Sequence, residues 1–221
     1  MGRCGVVGSQ AGGAAYSSGV SGNPARWPVY ELHRHFCSGL GDHLSEWPSP
    51  SDIMSKPLRL RAASPLPPRL IVYLFNATDH PSERRAGDYR IQLRLPGQRP
   101  RSRGTLESEP GSMLVLAGYI QEFDTFVMWD ATAHSEFPYS KGVQVAARTV
   151  HEAAIDGVAE QIRLIRSAGV TEHVVAARTD HLVRALIRRH EITRDDLLLE
   201  TQQYHSGRPS PRADSSQGEL W

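Results

Sequence analysis

The stretch RRAGDYRIQLRLPGQRPRSR, residues 84–103, predicts a half-buried β-strand that leads into a cationic loop. Its central residues alternate between apolar and polar side chains, and this period of two is typical of a strand with one buried face. The apolar face consists of Tyr89, Ile91, Leu93 and Leu95. The polar face consists of Asp88, Arg90, Gln92 and Arg94. Proteins contact DNA with arginine, acid and amide side chains, so the polar face is a candidate DNA-reading surface.

The length and charge of the chain limit its class. With 221 residues it can form one domain with a hydrophobic core and additional segments, but not two full domains. The formal net charge of +1 excludes a polycation. Of the 25 basic residues, only Lys56 and Lys141 are lysines. The planar donor fork of arginine suits phosphates and guanine edges, although a GC-rich coding sequence would produce the same bias.

The cysteines and the hydropathy pattern predict a cytoplasmic protein without a membrane partner. Cys4 and Cys37 are too few for a disulfide framework. No apolar run approaches the ~20 residues that span a bilayer. The segment MGRCGVVGSQAGG, residues 1–13, has a weak apolar run and no convincing cleavage pattern, so we expect no signal peptide.

Composition divides the chain into three segments. Residues 1–57 are punctuated by Gly, Ser and Pro and contain only two short helical patterns, VYELHRHF and GDHLSEW, which predicts a flexible or loosely docked arm. Residues 58–205 hold the periodic apolar segments and predict the folded domain. Residues 206–221 are typical of a disordered tail. On this interpretation, deletion of residues 1–53 leaves a folded domain.

The domain is predicted to have an α+β architecture. Besides residues 88–95, four segments rich in β-branched or aromatic side chains predict strands: RLIVYLF, SMLVLAGY, FDTFVMWD and EHVVAARTD. Apolar residues from 143 to 165 recur at helical spacing and predict one long helix, and two further C-terminal helices follow residue 180. Strands followed by helices, without regular β-α-β alternation, indicate a curved sheet or a small β-barrel with helices packed outside.

Aromatic residues at the strand ends are candidates for a nucleobase pocket. Tyr73, Phe75, Trp129 and Tyr139 lie close to the polar segments FNATDH, WDATAH and FPYSKGVQ. Aromatic side chains beside an acid can hold an extruded base and accept a hydrogen bond from its exocyclic amine. Most aromatic residues on strands belong to the core, and that interpretation stays open for each of the four.

A magnesium-dependent nuclease of the PD-(D/E)xK type is the enzymatic alternative. Such a site holds Mg²⁺ with two carboxylates, and metal-bound water is the nucleophile. Asp79 followed by Asp88 and Arg90 is a compressed version of that pattern, with arginine in place of lysine. Arginine stays protonated in proteins, so it can supply charge but cannot act as a base. Outside this alternative no cofactor is expected.

Three segments resemble the SRA-like modules of bacterial modification-dependent restriction systems. They are LPPRLIVYLFNATDHPSERRAGDYRIQLRLPGQ, MLVLAGYIQEFDTFVMWDATAHSEFPYSKGVQVAARTV and EHVVAARTDHLV, and the resemblance covers residues 66–187. In those modules a (D/E)-Y-(K/R)-I-Q strand is followed by a G…F…(W/F)D strand and by S-x-x-(I/V)-Q before a helix. SRA-like modules flip a modified cytosine out of duplex DNA. The resemblance therefore implies an SRA-like or PUA-like fold that reads modified bases.

The resemblance and the arginine pattern together assign the candidate residues. The resemblance places Asp88, Tyr89, Arg90 and Gln92 at the first motif, Trp129 and Asp130 at the second, and Ser140 and Gln144 at the third. The candidate DNA contacts are Arg84, Arg85, Arg90, Gln92, Arg99, Arg101 and Arg103. The candidate base pocket consists of Tyr73, Asn76, Asp88, Trp129, Asp130, Tyr139, Ser140 and Gln144. Catalytic residues are assigned only for the nuclease alternative, as Asp79, Asp88 and Arg90.

Three functions follow from these patterns. The first is a DNA-binding module of a restriction or defence system that reads modified bases in double-stranded DNA by base flipping. It would have no catalytic activity of its own and would work with a separate nuclease or methyltransferase subunit. The second is a Mg²⁺-dependent restriction endonuclease. The third is a protein-interaction domain without DNA affinity, whose arginines are compositional. Salt-dependent DNA binding separates the third from the others.

Overall fold

Three α-helices and eleven β-strands form a mixed α+β architecture in a computed structural model that describes residues 26–79, 87–165 and 169–205. The helices are α1 (Val29–Leu40), α2 (Ala147–Asp156) and α3 (Leu182–His205). The strands are β1 (Leu58–Arg61), β2 (Arg69–Asn76), β3 (Thr78–Asp79), β4 (Tyr89–Leu93), β5 (Gly104–Thr105), β6 (Met113–Ile120), β7 (Thr125–Trp129), β8 (Glu136–Phe137), β9 (Lys141–Val145), β10 (Val158–Ile165) and β11 (Val170–Arg178). The predicted α+β class is confirmed.

The strands form three sheets. The largest has the order β1-β2-β6-β7-β11-β10, in which β2 and β6 are parallel and all other neighbours are antiparallel. A three-stranded antiparallel sheet has the order β3-β4-β9, and β5 pairs with β8. Within the described residues none of these sheets closes into a barrel, so of the two predicted forms the structure has open sheets.

The large sheet is covered on both faces, which explains why β2 and β6 are apolar along almost their whole length. Alternate residues of β2 belong to different cores. Val72 and Leu74 pack with α1 and α3, whereas Ile71 and Tyr73 pack beneath the three-stranded sheet and α2. We call these two faces the helix side and the sheet side of the molecule.

Strand β4 covers part of the sheet side. Ile91 and the other apolar residues of the strand are buried, whereas Arg90 and Gln92 lie on its outer face, as the period of two predicts. The strand approaches β6 so closely that a Cβ atom at Gly118 would lie 2.5 Å from the Cγ2 atom of Ile91. Glycine at position 118 therefore allows the three-stranded sheet to pack closely against the six-stranded sheet.

Helix α1 lies in the segment that the sequence predicts to be an arm, and here the structure differs. Leu32, Phe36 and Leu40 lie on one face of the helix and are buried in the helix-side core together with Cys37, whose thiol pKa is raised by burial to about 12. A 12-residue helix is marginal in isolation and depends on tertiary packing, which local composition does not reveal. Residues 1–25 of the predicted arm lie outside the described residues.

The single long helix predicted for residues 143–165 is wrong. Helix α2 ends at Asp156 and is followed by Gly157, whose φ of 87° favours glycine. The chain then forms β10, which pairs antiparallel with β11 along its whole length. A short apolar pattern is compatible with either a helix or a strand. Residues 158–165 form a strand because they pair with β11.

The C-terminal region differs from the prediction in one respect. The two helices expected after residue 180 form one continuous helix, α3. The predicted tail, residues 206–221, lies outside the described residues. No helix in the described part of the chain is both long enough and apolar enough to cross a lipid bilayer.

Candidate nucleic-acid interface

The outer face of the three-stranded sheet gathers polar side chains of β4 and β9. In the antiparallel register, Arg90 lies opposite Gln144, and Gln92 lies opposite Gly142. Residues opposite each other in such a pair project to the same face, so Arg90, Gln92 and Gln144 share the outer face. The Nε2 atom of Gln92 also donates a hydrogen bond to the Oγ atom of Ser140. The fold thus brings together four of the residues that the sequence predicts for DNA contacts or the base pocket.

Arg94 and Tyr139 extend this face beyond the paired strands. The guanidinium carbon of Arg94 lies 4.8 Å from the centroid of the Tyr139 ring, which is a cation–π contact. The Tyr139 side chain is half-buried and Arg94 is exposed. The ring therefore orients the guanidinium while its charge stays accessible to a partner.

The loop between β4 and β5 carries three exposed arginines, Arg99, Arg101 and Arg103. An Nε atom of Arg103 lies 3.5 Å from a carboxylate oxygen of Glu136. Across residues 26–79, 87–165 and 169–205, no ion pair involves Arg90, Arg94, Arg99 or Arg101. We call the set Arg90, Arg94, Arg99, Arg101 and Arg103 the arginine surface. The predicted contacts Arg84 and Arg85 lie outside the described residues.

A cleft of about 590 Å³ opens next to this loop, between α3 and the segments that precede β6 and follow β7. Leu106 of its wall comes three residues after Arg103, and its backbone N–H donates a hydrogen bond of 2.8 Å to the carbonyl of Ser135, also in the wall. The apolar wall residues are Pro67, Leu106, Met113, Leu114, Trp129, Ala131, Leu197 and Leu198. The hydroxyl residues are Ser108, Ser112, Thr132, Ser135, Thr193 and Thr201. This mixture of an apolar wall and a few polar groups is typical of ligand pockets.

Asp130 and Arg189 are buried charged residues of the cleft. The Oδ1 atom of Asp130 accepts hydrogen bonds from the backbone N–H and the hydroxyl of Thr132, at 2.9 and 2.6 Å. Arg189 donates to the carbonyl of His173 at 2.6 Å and to the Oγ1 atom of Thr193 at 3.2 Å. Burial lowers the pKa of Arg189, and nearby carboxylates, first that of Asp130, act in the opposite direction. The cleft therefore contains an oriented acceptor and an oriented cation.

A buried ionic network lies beside the cleft. Glu172 is fully buried, and its Oε1 atom lies 2.8 Å from the Nε2 atom of His134 and 3.3 Å from the backbone N of Asp130. Its Oε2 atom accepts a hydrogen bond of 2.6 Å from Arg163, which stands opposite Glu172 in the β10–β11 pair. The network therefore fixes both the carboxylate and the segment that carries Asp130.

The pKa of Lys141 responds to charges of both this network and the arginine surface. Burial lowers the pKa of Lys141, the Glu172 carboxylate raises it, and the Arg163 and Arg103 guanidinium groups lower it further. Sequence reasoning missed Glu172 and Arg163, because residue 163 was assigned to a helix. Their cross-strand pairing becomes recognisable only when β10 and β11 are known to form a hairpin.

The structure does not bring all eight predicted pocket residues into one place. Tyr73 and Trp129 are buried in the sheet-side core. The Tyr73 hydroxyl accepts a hydrogen bond of 2.9 Å from a backbone N–H, and the Trp129 Nε1 atom donates one of 2.8 Å to the carbonyl of Gln144. Asn76 makes two hydrogen bonds to the backbone of Trp27, just before α1. Tyr73 and Asn76 support the fold at their positions, whereas Trp129 and Asp130 both line the cleft.

Asp88 and Asp79, the candidate carboxylates of the nuclease alternative, lie at the edge of the small sheet. The Oδ1 atom of Asp88 accepts a hydrogen bond of 3.1 Å from the backbone N–H of Ala147, in the first turn of α2. Asp88 thus satisfies one of the donors that a helix leaves free at its N-terminus. Asp79 is exposed. In the described part of the chain, no group of three His, Cys, Asp or Glu side chains is placed to hold a metal ion.

Comparison with known protein families identifies the central part of the chain. The family model for methylase-associated X1 domains, MTaX1, matches residues 68–186, which is more than half of the sequence. The matched range runs from β2 to the first turn of α3, so it includes the arginine surface and Asp130. No curated protein and no solved structure matches the chain. The association with methylases that the family description states supports a component of a restriction–modification system. The chain belongs to the methylase-associated X1 family.

Proposed function

We propose that this protein is a DNA-binding component of a restriction–modification system. The observation that carries the proposal is the arginine surface, four of whose members make no ion pair within the described ranges. Exposed arginines without internal partners leave their charge and donors available, and phosphate oxygens accept from such groups. The family's association with methylases supports the same assignment, because methylation marks in these systems are placed on DNA.

In this proposal the arginine surface and Gln92 contact the DNA duplex. Arg99, Arg101 and Arg103 contact phosphates and supply affinity that does not depend on sequence. Arg90 and Gln92 face the groove, where arginine and glutamine read guanine and adenine edges. The aromatic ring of Tyr139 lies next to these polar side chains on the outer face, where it contacts Arg94.

The finer proposal is that the protein reads modified bases by base flipping, as its resemblance to SRA-like modules implies. The cleft is the place that we assign to the extruded base. It opens next to Arg103, its volume of about 590 Å³ is ample for a nucleotide, and its wall includes Leu106 and Met113. Asp130 offers an oriented carboxylate that can accept from the exocyclic amine of cytosine or adenine. Cleavage or methylation is then supplied by a separate nuclease or methyltransferase subunit.

Combined replacement of Arg99, Arg101 and Arg103 by alanine tests the phosphate contacts. We expect the slope of log affinity against log salt to become shallower by about 2 to 3 units, with binding on the order of 100-fold weaker near physiological salt. The measurement is a fluorescence-anisotropy titration of duplex DNA at several salt concentrations.

A matched control removes the same amount of charge elsewhere. Arg34 and Arg61 are exposed on α1 and β1, and Arg178 is half-buried at the end of β11; all three lie outside the three-stranded sheet. Their combined replacement by alanine should leave the slope unchanged. Equal slopes for the wild type and the Arg99, Arg101 and Arg103 variant, or no salt-dependent binding at all, would refute DNA contact through this loop.

Replacement of Asp130 by asparagine tests the assignment of the cleft. The amide keeps the size of the side chain but adds a donor where the carboxylate only accepts, so we expect an altered preference between modified and unmodified duplexes. The salt slope should stay the same, because Asp130 does not contact phosphate in this proposal. Binding to both duplexes is measured with and without Mg²⁺, together with thermal unfolding as a folding control. Unchanged preference would exclude the cleft, and Mg²⁺-dependent cutting by the wild type would favour the nuclease alternative.

A further inference from the structure

Exposed apolar side chains concentrate in one region on the helix side of the molecule. They lie on β10 and on the C-terminal half of α3, and their exposure ranges from 53% to 83%. The part of it that we call the α3–β10 surface consists of Ile162, Leu164 and Leu199, since Leu197 and Leu198 line the cleft. Large apolar patches of this kind on a folded protein mark interaction sites.

The strand and helix parts of this surface border the same groove. In the β10–β11 register, Ile162 stands opposite His173 and Leu164 opposite Thr171. His173 and Thr171 line a groove of about 270 Å³ together with Leu199 of α3. The exposed residues of β10 and α3 are therefore neighbours across one concave region.

Strand β10 is an edge strand without the usual protection. It is the outermost strand of the six-stranded sheet, and it runs for eight residues without proline. Edge strands are commonly protected by charged side chains that point outward. In β10 the charged side chains form ion pairs within the chain instead. Glu160 binds Arg188 at 2.6 Å, and Arg163 binds Glu172 at 2.6 Å. The backbone edge is thus flanked by Ile162 and Leu164 and is suited to pair with another strand.

The charges of α3 identify the partner. On the face of α3 that contacts β10 through Arg188, helical spacing aligns two basic residues, Arg184 and Arg188, with two acidic residues that follow them, Glu191 and Asp195. This order opposes the helix dipole, which favours anions at the N-terminus and cations at the C-terminus. A second α3 in antiparallel orientation would place basic residues against acidic ones twice, once on each side of a twofold axis. The helix is therefore complementary to a second copy of itself.

We propose that two copies of this chain form a twofold-symmetric dimer in which the β10 strands pair antiparallel. The two six-stranded sheets then become one continuous sheet, and the two α3 helices lie on the same face of it. Because α3 packs on β11, three strand spacings of ~4.8 Å separate the strands beneath the two helices by about 14 Å. Ile162 and Leu164 of both copies fill this gap, flanked by Leu199. One symmetry operation buries the strand edge and the apolar helix face together.

The dimer has a consequence that rests on the proposed function. A twofold axis perpendicular to the joined sheet keeps both copies' small sheets on the side opposite to α3. Both arginine surfaces would then face the same direction, which fits contact with two half-sites of one duplex. Dimer formation is measured without DNA. A monomeric protein that still binds DNA would therefore contradict the dimer and leave the proposed function intact.

The test is the molar mass of the full chain by analytical ultracentrifugation over a range of concentrations. We expect a dimer for the wild type and a dissociation constant at least on the order of 100-fold higher for the combined Ile162→Lys and Leu164→Lys variant. Both positions are exposed in the single chain, so the variant should unfold as cooperatively as the wild type. Leu199→Lys tests the helix part of the surface separately and should also weaken the dimer. Ile155→Lys, at an exposed position on α2, is the control and should leave the dimer intact.

Hydrogen exchange identifies the paired strand. In the proposed dimer the outward amides of β10 become protected as the protein concentration rises, and this protection disappears in the Ile162→Lys and Leu164→Lys variant. A monomeric wild type, a dimer that survives the two lysines, or β10 protection that appears only with a methyltransferase subunit would each overturn the proposal.

Discussion

Deletion of residues 1–53 is expected to abolish cooperative unfolding of the chain, because it removes α1 from the helix-side core. Leu32, Phe36 and Leu40 of this helix are at most 2% exposed. Complete burial of such a side chain stabilises a protein by about 1.5 to 3 kcal/mol. The loss is therefore comparable to the whole stability of an ordinary domain, about 5 to 15 kcal/mol. Urea unfolding followed by circular dichroism measures the effect.

Deletion of residues 1–25 alone is the matched control, since it keeps α1 and its contacts with the core. We expect this shorter deletion to unfold with the same cooperativity as the full chain. If the chain that begins at residue 54 also showed a sharp transition at a similar urea concentration, α1 would be dispensable and the original interpretation of residues 1–57 as an arm would stand.

Replacement of Glu172 by alanine should cost about 3 to 5 kcal/mol of unfolding free energy, because it removes the buried carboxylate that binds Arg163 and contacts the buried His134. Arg163 and His134 both depend on the Glu172 carboxylate, which is fully buried. Glu172→Gln should cost less, since the amide oxygen can still accept a hydrogen bond from one of the two. Chemical denaturation at neutral pH gives both values.

Glu107 offers a control, because its ion pair with Arg59 has the same N–O distance as the Arg163–Glu172 pair but is exposed to solvent. It lies 2.6 Å from Arg59, as Glu172 does from Arg163, but both side chains of the Glu107 pair are at least half exposed. Exposed pairs contribute at most about 1 kcal/mol, because water and salt screen them. Similar losses for Glu107→Ala and Glu172→Ala would contradict the view that burial gives the Glu172 network its importance.

The residues of β4 show what local pattern can determine. Alternation from Tyr89 to Leu93 predicts which side chains are buried, and the burial of the strand agrees. Side chains of a strand alternate by backbone geometry, whatever the strand packs against, so this information is contained in the local sequence. Continuous apolar and aromatic runs likewise predict strands β2, β6, β7 and β11.

The candidate site was only partly predictable. Arg99 and Arg101 lie in a segment of Pro, Gly, Gln and Ser, which predicts an exposed loop, and the structure agrees. The cleft combines Leu106, Asp130 and Arg189, which are far apart in the chain. No local pattern predicts which loops and helices meet, because that depends on how the sheets stack. Trp129 and Asp130, adjacent residues of one motif, both line the cleft, and Trp129 also packs in the sheet-side core.

The sequence by itself determined the α+β class, the parity of β4 and the exposed arginine loop. Only the tertiary structure decided that α1 belongs to the core, that residues 158–165 form a strand, and that Glu172 holds His134 and Arg163. The physical reason is the range of the interactions. Backbone periodicity and composition are local, whereas burial of α1, pairing of β10 and the Glu172 network depend on partners distant in sequence.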